Sequence, residues 1–207
     1  MKAVKLIYRT LMFLTRSIAR ITLDEIISIY FEKLPKGNVL EIGAGKYPLY
    51  KGKIKAETYR TFDIRKEIEP DICGDIHDIP IQDGSLDVVI ATEVLERCHT
   101  PQKAIDEIYR ILTKNGICIL STRFICKIHG SPNDYYRFTD QALAPLFKKF
   151  GEKEIMPHGN AFGAIWDLFY QRELPWRLLF LINLPLRYLL FWKSYSCPCG
   201  YVVYAKK

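Results

Sequence analysis

The sequence predicts an α/β fold whose mainly parallel β-sheet is covered by helices on both faces. Short strand-like runs occur at 39–42, 59–64, 86–91 and 116–121, and residues 103–112 have the apolar periodicity of a helix. Several of these runs are continuously apolar, which is typical of strands buried on both faces. Such strands alternating with helices indicate a parallel sheet rather than a sandwich or a helical bundle.

The 207 residues, 49% of them hydrophobic, fit one domain that spans 1–207. Outside the alternating core lie an N-terminal helical extension (1–35) and an aromatic-rich insertion (161–195). The remaining predicted elements are helices over 1–20, 24–34 and 139–150, with Thr139 as the N-cap of the last, and strands over 72–76, 153–156 and 201–205.

The basic residues leave a net charge of +7, which suits an anionic partner. Within 1–20 they recur at helical spacing and form one stripe, which fits either a helix on an anionic membrane surface or a capping helix facing water. Residues 176–192 are a second candidate for peripheral membrane contact. Neither segment is long and unbroken enough to span a bilayer, so we expect a cytoplasmic protein, with peripheral membrane contact left open.

The cysteines predict neither a disulfide framework nor a metal site. Cys197 and Cys199 form a close pair, but no second Cys/His pair at zinc-finger spacing accompanies them. We therefore expect no metal, and His77 and His158 are interpreted as surface or loop residues.

The strongest chemical pattern lies at the end of the first strand, where glycines permit positive φ and close approach of a ligand to the backbone. Asp63 lies 22 residues beyond Glu41 and could accept hydrogen bonds from ribose hydroxyls. Asp75 could accept from an adenine amino group while Ile76 packs on the ring. The alternatives are a plain tight turn and ordinary loop carboxylates. The candidate residues of the turn itself are Glu41, Gly43, Ala44 and Gly45.

Two cofactors could use such a site. A nicotinamide dinucleotide usually places its pyrophosphate on Gly-x-Gly-x-x-Gly, and here the third glycine is missing after Gly45. S-adenosylmethionine (SAM) has no phosphate, and its ammonium group would benefit from a carboxylate such as Glu41. The acidic residue before the glycines therefore favours SAM.

In these residues the chain resembles class I SAM-dependent methyltransferases, in particular the type 11 group. The run Val39–Gly45 is similar to their motif I, and Asp63 matches the ribose-binding acid. The resemblance extends over 36–125 and the closing strand, and its further matching segments are 74–80, 83–89, 91–96 and 104–112.

The resemblance implies a Rossmann-like, seven-stranded, mostly parallel sheet with an antiparallel last strand. It also implies that Thr92 and Glu93, at the exit of the fourth strand, contribute to the SAM site. Two residues depart from the family pattern: Tyr47 replaces the third glycine, and Arg97 stands where a histidine is frequent.

The acceptor side is predicted from the polar and aromatic segment 129–139, which resembles a segment of some microbial methyltransferases linked to glycans or natural products. His129 is the candidate general base because an imidazole titrates near neutrality. Asp134 could orient it or bind a substrate hydroxyl. Alternatively, Asp134 pairs with Arg137 and braces the following helix. His99 is a second candidate base.

The expected function is therefore methyl transfer from SAM, at oxygen, to a small-molecule, glycan or lipid-linked acceptor. The aromatic residues of 161–195 would cover that acceptor or pack as a helical pair on the sheet. RNA methylation is an alternative suggested by the charge, but the basic stripe is confined to the N-terminal helix, and nucleic acid is not an expected partner. A non-catalytic, membrane-associated protein with the same fold is the third hypothesis.

Overall fold

A computed structural model describes residues 17–128, 133–169 and 197–207. The helices in these ranges are α1 (Ile18–Phe31), α2 (Pro101–Ile111), α3 (Asp140–Leu146) and α4 (Ala161–Phe169). The strands are β1 (Gly37–Ile42), β2 (Ala56–Asp63), β3 (Ile72–Cys73), β4 (Leu86–Thr92), β5 (Leu112–Arg123), β6 (Glu152–His158) and β7 (Gly200–Lys206).

The described strands form one seven-stranded sheet in the order β3-β2-β1-β4-β5-β7-β6. The pairs from β3 through β5 are parallel, whereas β7 runs antiparallel to both β5 and β6. The predicted Rossmann-like fold with an antiparallel last strand is confirmed. The strand order reverses between β1 and β4, and ligands of such sheets bind beyond the carboxyl ends of the strands at this point.

Alternate side chains of the central strands enter two different apolar clusters. Val88 and Ile90 of β4 pack with Leu23 and Ile27 of α1, whereas the intervening Val89 lies with α2 and α3 on the opposite face. This alternation follows from the period of two along a strand. The central strands are therefore buried on both faces, which explains their continuous apolar runs.

The first helix begins earlier than predicted. Ser17 is its N-cap, and the Ser17 hydroxyl accepts a hydrogen bond from the Arg20 amide at 3.2 Å. The prediction that a helix continues through 1–20 and a second starts at Asp24 is therefore wrong at this boundary, because the cap ends any preceding helix at Ser17. Residues 1–16 lie outside the described residues.

The helix predicted over 139–150 is shorter. Its N-cap is confirmed, since the Thr139 hydroxyl accepts from the Ala142 amide at 3.1 Å. The helix ends at Leu146 and contains Pro145, whose missing amide hydrogen removes one intrahelical hydrogen bond.

Within the described ranges, no helix combines the length and apolarity that a bilayer crossing requires. Of the aromatic-rich insertion, the structure describes the part that forms α4. The candidate membrane segment 176–192 lies outside the described residues.

Candidate functional site

A cavity of about 470 Å³ lies at the carboxyl ends of β1, β2 and β4. Its walls come from the turn after β1, the end of β2, the segment after β3, and the loops 92–99 and 133–135. Eight of the predicted cofactor-binding residues line it, namely Gly43, Ala44, Gly45, Asp63, Asp75, Ile76, Thr92 and Glu93. The fold therefore brings into one cavity residues that lie up to fifty positions apart in the sequence.

The turn after β1 requires glycine at Gly43. This residue has φ of +71°, and a Cβ built there would lie 2.4 Å from Cγ2 of Val94. Gly45 also has positive φ, at +62°, but a Cβ there would meet only the Arg65 side chain at 3.9 Å. The turn thus presents bare backbone to the cavity, as predicted from the two glycines.

Asp63 is a hydrogen-bonded carboxylate at the end of β2. It accepts hydrogen bonds from the Gly45 amide at 3.3 Å and from the Arg65 amide, Nε and Nη2 at 3.0–3.1 Å. Burial alone would raise the pKa of Asp63, but the hydrogen bonds and charge of Arg65 outweigh it, and the pKa lies below its usual value. A carboxylate that stays ionised is a strong acceptor for hydroxyl groups.

Glu41 occupies a different position from the other candidates. Its carboxylate is buried, accepts from the Leu49 amide at 3.1 Å and from the Tyr59 hydroxyl, and does not line the cavity. Burial is the main cause that raises the pKa of Glu41. These bonds tie the strand end to the loop that follows the glycine turn. Direct contact of Glu41 with a ligand ammonium stays a prediction.

Two histidines that are far apart in sequence meet beside Asp75. His77 Nδ1 lies 2.5 Å from Asp75 Oδ1, and the His77 ring stacks on the ring of His99 with centroids 4.1 Å apart. The interpretation of His77 and His158 as surface or loop residues is correct only in that His77 lies in a turn; His77 is buried, and His158 is buried at the end of β6. For His158, burial lowers the pKa to about 3, so the ring is neutral in the folded protein.

Asp75, His77 and His99 each place one potential ligand atom, a carboxylate oxygen or a ring nitrogen, within 4.8 Å of the other two, as the ligands of a metal ion would. The two rings, however, are nearly parallel, at 15°. A metal ion lies in the plane of each coordinating imidazole, and stacked rings have no nearby point common to both planes. His77 also has both nitrogens engaged, because Nε2 lies 3.4 Å from the Thr100 amide. The geometry favours a hydrogen-bonded Asp–His pair over metal binding.

A cluster of charged side chains lies at the other end of the cavity. Glu93 has φ of +57°, unusual for a residue with a side chain, and its Oε1 lies 2.8 Å from Arg123 Nε. Arg123 Nη1 lies 3.6 Å from Asp167 Oδ2 on α4, and burial raises the pKa of Asp167 to about 6. Arg20, in the first turn of α1, also lines the cavity. Sequence reasoning missed these partners, because only the tertiary fold joins α1 and α4 to β4.

Of the two predicted catalytic residues, the structure describes Asp134 but not His129. His129 lies outside the described residues. Asp134 is buried and forms a two-point ion pair with Arg137, with N–O distances of 2.5 and 2.7 Å, which matches the structural alternative. It does not line the cavity, whereas its neighbours Asn133 and Tyr135 do. A catalytic role for Asp134 or His129 stays a prediction.

Glu96 holds this acceptor-side loop in place. Its carbonyl oxygen accepts from the Tyr135 and Tyr136 amides at 2.8 and 3.1 Å, and its own side chain is completely buried. Oε2 accepts from the Thr122 hydroxyl at 3.0 Å. Burial, and secondarily the charge of Glu93, raises the pKa of Glu96 to about 7.

Comparisons with known proteins agree with this geometry. Residues 40–120 match the sequence profile of a methyltransferase domain family. No curated protein sequence matches significantly.

Solved structures share the fold at low sequence identity. A SAM-dependent methyltransferase from Thermotoga maritima, described as a possible histamine N-methyltransferase, has a TM-score of 0.57 and 19% identity, covering 97% of this chain and 94% of that chain. A SAM-dependent methyltransferase from Archaeoglobus fulgidus has a TM-score of 0.56 and 14% identity, covering 88% and 94%. Phosphoethanolamine N-methyltransferase 2 from Haemonchus contortus, in complex with SAM, has a TM-score of 0.56 and 13% identity, covering 89% and 52%.

The sheet order, the glycine turn with its carboxylate at Asp63, and the matched methyltransferase profile all agree. Together they support a SAM-dependent methyltransferase whose fold is that of the class I enzymes.

Proposed function

We propose that this methyltransferase transfers the methyl group of SAM to a hydroxyl of a small-molecule, glycan or lipid-linked acceptor. The observation that carries the proposal is a set of polar side chains in the cavity lining. His99, Asn133 and Tyr135 line the same cavity as the glycine turn. Their side chains offer hydrogen-bond donors and acceptors, which suit a polar acceptor better than an apolar one.

The cofactor end of the cavity fits an adenosyl group. Bare backbone at Gly43 and Gly45 allows close approach, and the Asp63 carboxylate would accept from the ribose hydroxyls. Ile64 and Ile76 give apolar surface for the adenine ring. When bound, SAM supplies a methyl group activated by its positively charged sulfur.

His99 is the best-placed candidate to remove the proton of an acceptor hydroxyl. Its Nδ1 lies 2.7 Å from the Thr100 hydroxyl, and its ring is held by stacking on His77. When Nδ1 donates to Thr100, Nε2 carries the lone pair that accepts a proton. General-base assistance of this kind contributes about 10²–10⁴-fold to a rate.

Nitrogen is the competing acceptor atom, because one structural neighbour is described as an N-methyltransferase and another as a possible one. A hydroxyl needs its proton removed as it attacks, whereas a neutral amine attacks through a free lone pair. The presence of a candidate base in the cavity lining favours oxygen.

The test uses SAM that carries a deuterated methyl group. The protein is incubated with polar metabolite, glycan and lipid extracts, and labelled products are identified by mass spectrometry, with an Asp63→Ala variant as the control for cofactor binding. We expect a labelled methyl ether or ester that is absent from the control. Label found only on nitrogen, or only in an added RNA fraction, would contradict the proposal.

Once an acceptor is known, His99→Asn and His129→Asn separate the two candidate bases. We expect His99→Asn to lower kcat at least tenfold while the affinity for S-adenosylhomocysteine (SAH) is unchanged. A rate loss confined to His129→Asn would move the base to residue 129.

We further propose that the protein is cytoplasmic and reaches a lipid-linked acceptor by peripheral membrane contact through 1–20 or 176–192. The basic residues within 1–16 support this, because anionic headgroups attract cationic side chains. Flotation with anionic and neutral vesicles tests it. We expect binding to anionic vesicles that is lost when 1–16 are deleted. Absence of flotation by the full chain would contradict membrane contact.

A further inference from the structure

Arg20 is the cavity-lining residue whose role the glycine turn does not explain. It lies in the first turn of α1, and its side chain is only 18% exposed. A guanidinium removed this far from water needs anionic or hydrogen-bonding partners. Neither the adenosyl contacts nor the candidate base accounts for it.

Within the described residues, the side-chain contacts of this guanidinium use one of its nitrogens. Nη2 lies 2.8 Å from the Tyr50 hydroxyl and 2.8 Å from Asp24 Oδ1. An arginine carries five N–H donors in a fixed planar fork. Within the described part of the chain, both contacts use Nη2, so Nε and Nη1 remain for a ligand.

The strand order shows which part of SAM would lie near Arg20. The adenosyl candidates Asp63 and Asp75 follow β2 and β3, whereas Glu93 follows β4, on the far side of β1. At about 4.8 Å between strands, β3 and β4 are roughly 14 Å apart, which is comparable to the length of an extended SAM molecule. The amino-acid end of SAM would therefore lie near Glu93 and Arg20.

The charges at this end match a zwitterion. The Glu93 carboxylate offers an anionic partner, although its Oε1 is already paired with Arg123 Nε at 2.8 Å. Arg20 offers the cationic partner through a fork that binds carboxylates at two points. An ammonium and a carboxylate on the same carbon would meet complementary groups.

On the premise of the SAM-binding function above, we infer that Arg20 binds the α-carboxylate of the methionine end of SAM, with Glu93 facing the ammonium. An acceptor anion is a less suitable occupant of Arg20, because the side chain contacts Tyr50, in the segment after the glycine turn, and interacts electrostatically with Glu93 at the exit of β4.

The test is a cycle that removes the carboxylate from the ligand and the guanidinium from the protein. Calorimetry measures the affinity of wild type and Arg20→Gln for SAH and for its decarboxylated analogue, in which the amino-acid end is an aminopropyl group. We expect wild type to bind SAH roughly 10- to 100-fold more tightly than the analogue, since a charge-assisted hydrogen bond is lost. In Arg20→Gln, this difference should fall to about threefold or less.

Two further variants serve as controls for this experiment. Arg20→Lys keeps the charge but not the fork and should retain part of the SAH preference. Lys36→Gln removes the same charge at an exposed ion pair with Glu57 and should leave the preference intact. If Arg20→Gln fails to fold, the wild-type and Arg20→Lys preferences still decide the matter.

The outcomes separate this inference from its premise. If folded wild type binds neither SAH nor the analogue, the SAM-binding function fails and the inference fails with it. If wild type binds both ligands equally, or Arg20→Gln weakens both by the same factor, SAM binding stands and the assignment of Arg20 is overturned.

Discussion

Replacement of Glu96 by glutamine should change how the stability of the protein depends on pH. Glu96 is completely buried beneath the acceptor-side loop, and burial raises its pKa from 4.5 to about 7. The folded protein therefore binds this proton more tightly than the unfolded chain does. Its stabilising effect is complete below about pH 4.5 and is lost as the pH rises through about 7. Glutamine has the shape of the protonated acid and cannot ionise.

The size of the effect follows from the shift. Each pKa unit corresponds to about 1.4 kcal/mol, so a shift from 4.5 to about 7 corresponds to roughly 3 kcal/mol. The free energy of unfolding of Glu96→Gln, relative to wild type, should therefore rise by about 3 kcal/mol between pH 4 and pH 8. Comparison with wild type at each pH cancels the opposite trend from His158, whose lowered pKa destabilises the fold in acid.

Urea unfolding at half-unit pH intervals measures this difference, provided that the m-values of the two proteins agree. Glu152→Gln is the control, because this glutamate is exposed on β6. A stability difference between Glu96→Gln and wild type that does not change with pH would refute the reasoning. A variant that is less stable than wild type at pH 8 would refute it as well.

Two further predictions concern the site. Gly43→Ala should lower the free energy of unfolding by about 2–3 kcal/mol, because φ is positive and the new Cβ would lie 2.4 Å from Val94 Cγ2. Gly52 also has positive φ but faces open space, so Gly52→Ala should lower the free energy of unfolding by about 1 kcal/mol. Equal losses in the two variants would show that Val94 exerts no constraint. Asp134→Asn should lower stability by about 1–3 kcal/mol through loss of the Arg137 pair, with SAH affinity unchanged. A fall in kcat without loss of stability would instead support a catalytic Asp134.

The sheet and the cofactor turn were predictable because their determinants are local. The apolar runs of β1 and β4 and the glycines after β1 carry the information in a few adjacent residues. The spacing from Glu41 to Asp63 was informative because one strand and its connection separate the two strand ends. The Ser17 N-cap is also a local feature of the sequence, and it could have located the start of α1.

The other contacts were not predictable, because they join residues that only the fold brings together. The stacking of His77 on His99 depends on how the loops after β3 and β4 approach each other. Arg20 belonged to a basic stripe in the sequence, and its place in the cavity depends on how α1 packs on the sheet. The burial of Glu96 likewise depends on the loop above it.

The binding of SAH to the wild-type chain and to Asp63→Ala, measured by calorimetry with NAD as a competitor, decides whether the cavity beside the glycine turn is a SAM site. We predict saturable binding of one SAH, weakened by roughly 1–3 kcal/mol in Asp63→Ala through loss of buried hydrogen bonds, and no competition by NAD. Absence of SAH binding by the folded wild type, or displacement of SAH by NAD, would contradict the account.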